Sequence, residues 1–142
     1  MNEYELKEAA QLLDKKIEYI DKIIDITNKQ KKAIKKEDIE LLEVYTNQRQ
    51  DIINEVDKLD AILKEETREQ DNNDLLGNKL RELSLSLTTL KNMDNENKKL
   101  LEEKMNDIKS KIQEVKQGQK MAKGYGMDFY NNMGSFFIDQ KN

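Results

Sequence analysis

The chain has 142 residues, of which 38% are charged and 36% hydrophobic. This proportion of hydrophobic residues is too low to form a thick globular core, but it is sufficient for the inner faces of long helices packed side by side. Its formal net charge of −4 argues against nucleic acid as the main partner, because binding to phosphates requires surplus Lys and Arg. Histidine and cysteine are absent, which excludes the most common general base, Ser-His or Cys-His pairs and ordinary zinc sites, so we expect neither catalysis nor a cofactor or metal.

A first helix is predicted over residues 3–34, because apolar positions recur there in alternating steps of four and three. This is the 3.5-residue repeat of helices packed along their length. The predicted buried positions are Leu6, Ala10, Leu13, Ile17, Ile20, Ile24, Thr27, Lys31 and Ile34. Five lysines gather between residues 29 and 36, either as a basic patch for an acidic partner or as a solvated helix end that complements the helix dipole. The second interpretation is preferred, since Glu37 and Asp38 follow at once.

A second helix is predicted over residues 38–69, with Asp38 as its N-cap. Its predicted buried positions are Leu42, Tyr45, Arg49, Ile52, Val56, Leu59 and Leu63. A single rod through both helices would place Lys31, Asp38, Gln48 and Glu55 on the buried line. A turn near residues 35–38 avoids most of that cost, so we expect two helices.

A third helix is predicted over residues 75–117, after an Asn- and Asp-rich loop at residues 69–74. Its predicted buried positions are Leu80, Leu83, Leu87 and Leu90, then Leu101, Met105, Ile108, Ile112 and Val115. Asp94 and Asn97 fall on the same line, where they either set the register or mark a groove that faces water or a partner. Short connections favour antiparallel neighbours. We therefore expect an all-α fold, with residues 1–117 forming an elongated up-down-up bundle of three long antiparallel helices with coiled-coil-like packing.

Residues 118–142 differ in composition from the rest, with four of the five glycines, five of the eight aromatic residues and three of the six methionines. Glycine opposes a stable isolated helix, whereas aromatic and methionine side chains favour burial. We expect a flexible tail that orders against a protein partner, with a tail folded back on its own bundle as the alternative. The predicted partner-binding residues are Met121, Tyr125, Met127, Phe129, Tyr130, Met133, Phe136, Phe137 and Ile138.

The N-terminal residues do not combine a basic segment with an apolar one, and no strictly apolar run is longer than three residues. We therefore expect no secretory signal and no membrane insertion. Together with the lack of cysteine, this predicts a cytoplasmic protein.

Several segments resemble one known family. They are the turn Ile-Lys-Lys-Glu-Asp-Ile-Glu-Leu-Leu-Glu at 34–43, the run Gln-Arg-Gln-Asp-Ile-Ile-Asn-Glu-Val-Asp-Lys-Leu at 48–59, Asn-Lys-Lys-Leu-Leu at 97–101 and the pair Tyr125-Gly126. Together they resemble the FlgN-type flagellar export chaperones over nearly the whole chain. The resemblance implies a non-catalytic helical chaperone that keeps hook-associated (hook–filament junction) proteins unassembled and delivers them to the flagellar type III export apparatus.

The same resemblance implies that clients are held mainly by the C-terminal portion, and that Tyr125 corresponds to a tyrosine linked in the family to docking at the export gate. Tails in the family commonly carry further Gly or Pro after Tyr-Gly, whereas Met127-Asp128-Phe129-Tyr130 follow here. Chaperones of the filament cap have similar hairpins, so the client is not identified. The alternative function is a coiled-coil scaffold or adaptor that self-associates through its helical seam, whereas the chaperone is expected to be a monomer or weak dimer.

Overall fold

The computed structural model describes residues 2–66 and 74–118, which form three α-helices. Helix α1 is Glu3–Lys35, α2 is Ile39–Glu66 and α3 is Asp74–Gly118, and no strand occurs among these residues. The prediction of an all-α fold of three long helices is confirmed. Residues 67–73, where most of the predicted loop falls, and the tail from residue 119 onward lie outside the described residues.

The ends of α1 and the start of α2 follow from local hydrogen bonds. Asn2 caps α1, because its Oδ1 accepts the backbone N–H of Glu5 at 2.8 Å. Acidic residues occupy the first turn of α1 and Lys32 and Lys35 the last, as the helix dipole favours. Asp38 caps α2 through the backbone N–H of Leu41 at 3.1 Å, as the sequence predicts.

A turn closed by two backbone hydrogen bonds separates α1 from α2. The N–H of Glu37 donates to the carbonyl of Ile34, and the N–H of Asp38 to the carbonyl of Ala33, each at 3.0 Å. This is the Schellman pattern, which ends a helix at a residue in the left-handed conformation. Glu37 takes that position with φ of 55°, where glycine is the usual residue. The chain therefore turns where the sequence predicts a turn, but the left-handed position is taken by Glu37, a residue type that does not favour this conformation.

The helices pack into two compact units, and each helix contributes a stretch to both. Among the described residues, the first unit contains 2–27, 47–66 and 74–93, and the second contains 28–46 and 94–118. The buried apolar core of the first unit is Ala9, Ala10, Leu13, Ile17, Ile20, Ile23, Val56, Leu63, Leu76 and Leu83. The core of the second unit is Ala33, Ile34, Leu42, Leu101 and Ile108.

Ion pairs join the helices to one another within each unit. In the first unit Lys16 of α1 meets Asp60 of α2, and Lys79 of α3 meets Asp14 of α1, both at 2.5 Å. In the second unit Lys31 of α1 meets Glu96 of α3 at 3.5 Å. Within the first unit Lys16 meets Asp60 and Thr27 meets Arg49, so α1 and α2 run antiparallel there. The two α1–α3 pairs, one in each unit, both join residues 65 apart in the sequence.

Two threonines bridge α1 and α2, one in each unit. In the first, Thr27 Oγ1 accepts from Arg49 Nη1 at 2.8 Å and donates to the carbonyl of Ile23 at 2.7 Å. In the second, Thr46 Oγ1 accepts from Gln30 Nε2 at 3.2 Å and donates to the carbonyl of Leu42 at 2.8 Å. Buried polar groups of this kind fix which residues of two helices face each other.

The seams predicted for α1 and α2 are confirmed, because every position on them is buried or half-buried. The buried face of α1 is wider than its predicted seam and also includes Ala9, Ile23, Ile26, Gln30 and Ala33. A helix flanked by two neighbours needs a broader apolar stripe than a two-helix seam provides.

The seam predicted for the first half of α3 is partly wrong. Leu83 is buried, but Leu80 and Leu87 are 52% and 40% exposed. The buried line instead runs through Leu76 and Leu83, with the half-buried Lys79 and Ser86 beside it. The helix is rotated toward Lys79, which this orientation brings against Asp14 of α1. Further along α3, Val115 is also exposed at 38%, contrary to its place on the predicted seam.

The two polar residues on the predicted seam of α3, Asp94 and Asn97, lie in the second unit. Asn97 is buried there and Asp94 is half-buried. Burial favours the interpretation that these residues set the register over that of a groove facing water.

Candidate protein-binding surface

The nine partner-binding residues predicted from the sequence lie between Met121 and Ile138, outside the described residues. The structure therefore does not place them. It does place the helix that leads to them, since α3 extends to Gly118.

The lysines near the end of α1 do not form one patch. Lys31 pairs with Glu96, and the Lys29 ammonium lies 5.9 Å from the centre of the Tyr45 ring. Lys32, Lys35 and Lys36 are exposed. This arrangement favours the interpretation of a solvated helix end over that of a basic binding patch.

Exposed large apolar side chains cluster on one part of α3. The described residues of this kind are Tyr4, Val44, Ile62, Leu80, Leu85, Leu87 and Val115. Two of them, Leu80 and Leu87, lie seven residues apart on one face of α3, whereas Leu85, on another face of that helix, and the remaining residues are single positions. Scattered apolar residues are normal on a protein surface, but a contiguous apolar patch marks an interaction site.

A shallow open depression of about 290 Å³ lies along this part of α3. It is lined by Leu80, Leu83, Ser84, Leu87, Thr88 and Lys91 and is called the α3 groove below. The lining has the spacing i, i+3, i+4, i+7 twice, first from Leu80 to Leu87 and then from Ser84 to Lys91. Four residues with this spacing form the hole that receives one side chain of a facing helix in knobs-into-holes packing. The α3 groove thus comprises two successive holes.

The sequence under the α3 groove carries no charge over eight residues, Leu-Ser-Leu-Ser-Leu-Thr-Thr-Leu at 83–90, in a chain that is 38% charged. The two threonine hydroxyls of this segment bond within the helix, because Thr88 donates to the carbonyl of Ser84 at 2.9 Å and Thr89 to that of Leu85 at 3.1 Å. This surface was not predicted from the sequence, although the uncharged run at residues 83–90 is a signal that indicates it.

Among the residues that line the α3 groove, Lys91 is the charged one. The exposed Arg81 follows Leu80 in the sequence but does not line the groove, and its guanidinium donates to Asn78 Oδ1. Lys79 is turned away into its ion pair with Asp14. Glu82 lies on the far side of the helix, two residues or about 200° from Leu80.

Comparisons of the chain with protein-family models, with curated proteins and with solved structures give no significant match. Within residues 2–66 and 74–118, no helix combines the length and apolar character that a membrane span requires. Over the same residues, no cluster of three or more carboxylates is arranged to hold a metal ion.

Proposed function

We propose that this chain is a FlgN-type flagellar export chaperone of the cytoplasm, which binds hook-associated proteins, prevents their premature assembly and delivers them to the export apparatus. The observation that carries the proposal is the division of the sequence into two parts. Residues 1–117 have the charged, periodic pattern of a packed helical body, and residues 118–142 have the Gly, Met and aromatic composition of a segment that binds others. The segments that resemble the family lie in both parts.

The mechanism is physical. Junction proteins polymerise through terminal helical segments that lack their partners before assembly, and apolar side chains of the chaperone would cover those segments. Helix-in-groove docking uses anchors every three or four residues, a spacing that Met121, Tyr125, Phe129 and Met133 share. Each large apolar side chain that is buried contributes about 1.5–3 kcal/mol, against several kcal/mol for ordering the segment. Release then requires only a competing site at the export machinery.

The alternative, a scaffold that self-associates through its helical seam, has less support. The seam residues Leu13, Val56 and Leu83 are buried within the first unit of a single chain, and Leu42 and Leu101 within the second. Side chains that are already covered by their own chain are not available to pair with another.

The test is a binding assay with a purified hook–filament junction protein of the same organism. Deleting residues 119–142 should abolish binding while the circular dichroism spectrum and melting temperature stay nearly unchanged. The full-length double variant Tyr125→Ala/Phe129→Ala should weaken binding at least tenfold, because two buried rings contribute about 3 kcal/mol or more.

The matched control is Tyr4→Ala, which removes a ring that is 74% exposed on α1. It should bind the junction protein as the unchanged chain does. The proposal would be falsified if the truncated chain still bound the junction protein and kept it unassembled.

A further inference from the structure

We propose that residues 74–93 of α3 form a conformational switch with two packing orientations. The ion pair between Lys79 and Asp14 holds the orientation that the structure shows, in which Leu80 and Leu87 are exposed. In the other orientation α3 is turned about its own axis, and the two leucines are buried in the first unit. The switch lies within that unit and does not depend on the proposed function.

Three leucines form the part of α3 that is packed in both orientations. Leu76, Leu83 and Leu90 follow each other at intervals of seven residues, and all three belong to the core of the first unit or pack against it. Residues one heptad apart lie on nearly the same side of a helix, within about 20°. These leucines therefore stay in contact with the core while α3 turns by less than a quarter of a revolution.

The residues on the two sides of Leu83 define the two orientations. At about 100° per residue, Lys79 and Ser86 lie about 50° to one side of Leu83, and Leu80 and Leu87 lie about 50° to the other. A rotation of roughly 50° therefore exchanges one side for the other. A helix absorbs such a rotation through its winding, because the difference between 3.6 and 3.5 residues per turn amounts to about 20° per heptad.

The observed orientation buries the polar side rather than the apolar one. Lys79 and Ser86 are half-buried, whereas Leu80 and Leu87 are 52% and 40% exposed. Burial of leucine surface favours the rotated orientation. The contact that opposes it is the ion pair of Lys79, whose ammonium lies 2.5 Å from a carboxylate oxygen of Asp14.

This ion pair is a weak restraint, because the Asp14 side chain is 58% exposed and ion pairs open to solvent contribute little. The two orientations therefore lie close in free energy, and loss of the pair shifts the population toward the rotated one. The pair thus controls how much apolar surface the first unit presents. When it is formed, Leu80 and Leu87 line the α3 groove, and when it is broken they are covered by their own chain.

The experiment uses the absence of cysteine from the chain, because a single introduced thiol is then the only one. Ser84→Cys and Ser86→Cys place nearly isosteric thiols on the two sides of the helix, the first at an exposed position and the second at a half-buried one. The rate of reaction with N-ethylmaleimide is measured for each in the full-length chain, with and without Asp14→Lys. The matched control is Asp57→Lys, the same charge change at an exposed residue of α2.

With Asp14 unchanged, the thiol at position 84 should react faster than the thiol at position 86, because reactivity follows exposure. Asp14→Lys should slow the reaction at position 84 and accelerate it at position 86, each by about threefold or more, because the two sides exchange places. Asp57→Lys should change either rate by less than about twofold. In the double variant Leu80→Gln/Leu87→Gln rotation buries no leucine, so Asp14→Lys should no longer slow the reaction at position 84.

Salt provides a second way to weaken the pair without changing Asp14. Raising the ionic strength from about 0.1 to about 1 M shortens the screening length from about 10 to about 3 Å. It should shift the two rates in the same directions as Asp14→Lys, and it remains informative if that variant does not fold. Circular dichroism identifies variants that keep their helicity.

Three results would overturn the inference. Rates that Asp14→Lys and high salt both leave unchanged would show that α3 has one orientation. Acceleration at both positions would show that α3 separates from the unit instead of rotating. Opposite changes that persist in Leu80→Gln/Leu87→Gln would show that burial of the leucines does not drive the rotation.

Discussion

Thr27 and Thr46 make the same pair of hydrogen bonds to different donors. Each hydroxyl donates to the carbonyl four residues earlier and accepts from a side chain of the facing helix. The donor is the guanidinium of Arg49 for Thr27 and the neutral amide of Gln30 for Thr46. A charged donor makes a stronger hydrogen bond than a neutral one, and Thr27 is fully buried. The bond at Thr27 should therefore stabilise the fold more than the bond at Thr46, although both threonines have the same place relative to their helix.

Replacing Thr27 by Val should lower the free energy of unfolding by about 1.5–3 kcal/mol, because a buried guanidinium loses an acceptor. Replacing Thr46 by Val should cost only about 0.5–1.5 kcal/mol, because its donor is neutral and the site is half-buried. Urea denaturation of both variants measures the difference. Equal losses at the two positions would contradict the role assigned to Arg49.

At the scale of the helix, α3 shows how one element can satisfy two patterns. Leu80 and Leu87 lie on one side of Leu83 around the helix, and Lys79 and Ser86 lie on its other side. The positions 80, 83, 87 and the positions 79, 83, 86 both have the alternating steps of three and four that a buried seam requires. The helix places Lys79 toward Asp14 and leaves the two leucines partly exposed.

Leu83→Ala and Leu80→Ala test this orientation, since the two changes delete the same atoms from one helix. Leu83 is buried, so its truncation should cost about 2–5 kcal/mol of unfolding free energy. Leu80→Ala should cost less than about 1 kcal/mol, because its side chain is half in water and alanine favours helix. Chemical denaturation gives both values, and a larger loss at Leu80 would show that the predicted seam is the buried one after all.

At the scale of the whole chain, the apolar residues of both cores are covered by their own helices. Apart from the α3 groove, the exposed apolar residues among those described are single positions. Stable homodimers bury large and contiguous apolar surfaces. The described residues therefore offer no large contiguous apolar surface through which two copies of the chain could associate stably.

Sedimentation equilibrium should therefore find a species near the monomer mass of 16.7 kDa over the micromolar range. A weak dimer at the highest concentrations is compatible with the exposed leucines of α3. A particle of twice that mass at every concentration would instead support the scaffold alternative.

Much of the fold was predictable because helix seams are local. The steps of four and three in residues 6–34 and 42–63 define buried lines that the structure confirms, and Asp38 marks the start of α2 by its side-chain chemistry. The position of Glu37 in the turn was not predictable, because that conformation usually selects glycine. The candidate site in the tail was predicted from composition, residue spacing and the family resemblance, and it stays a prediction.

By itself, the sequence determined the number of helices, their approximate ends and the buried lines of α1 and α2, because periodicity and capping act within a few residues. Only the tertiary structure decided the rotation of α3, the wider buried face of α1 and the groove that the exposed Leu80 and Leu87 create. The reason is that the flank a helix buries depends on what the neighbouring helix offers. Here Asp14, 65 residues away in the chain, provides the contact for Lys79.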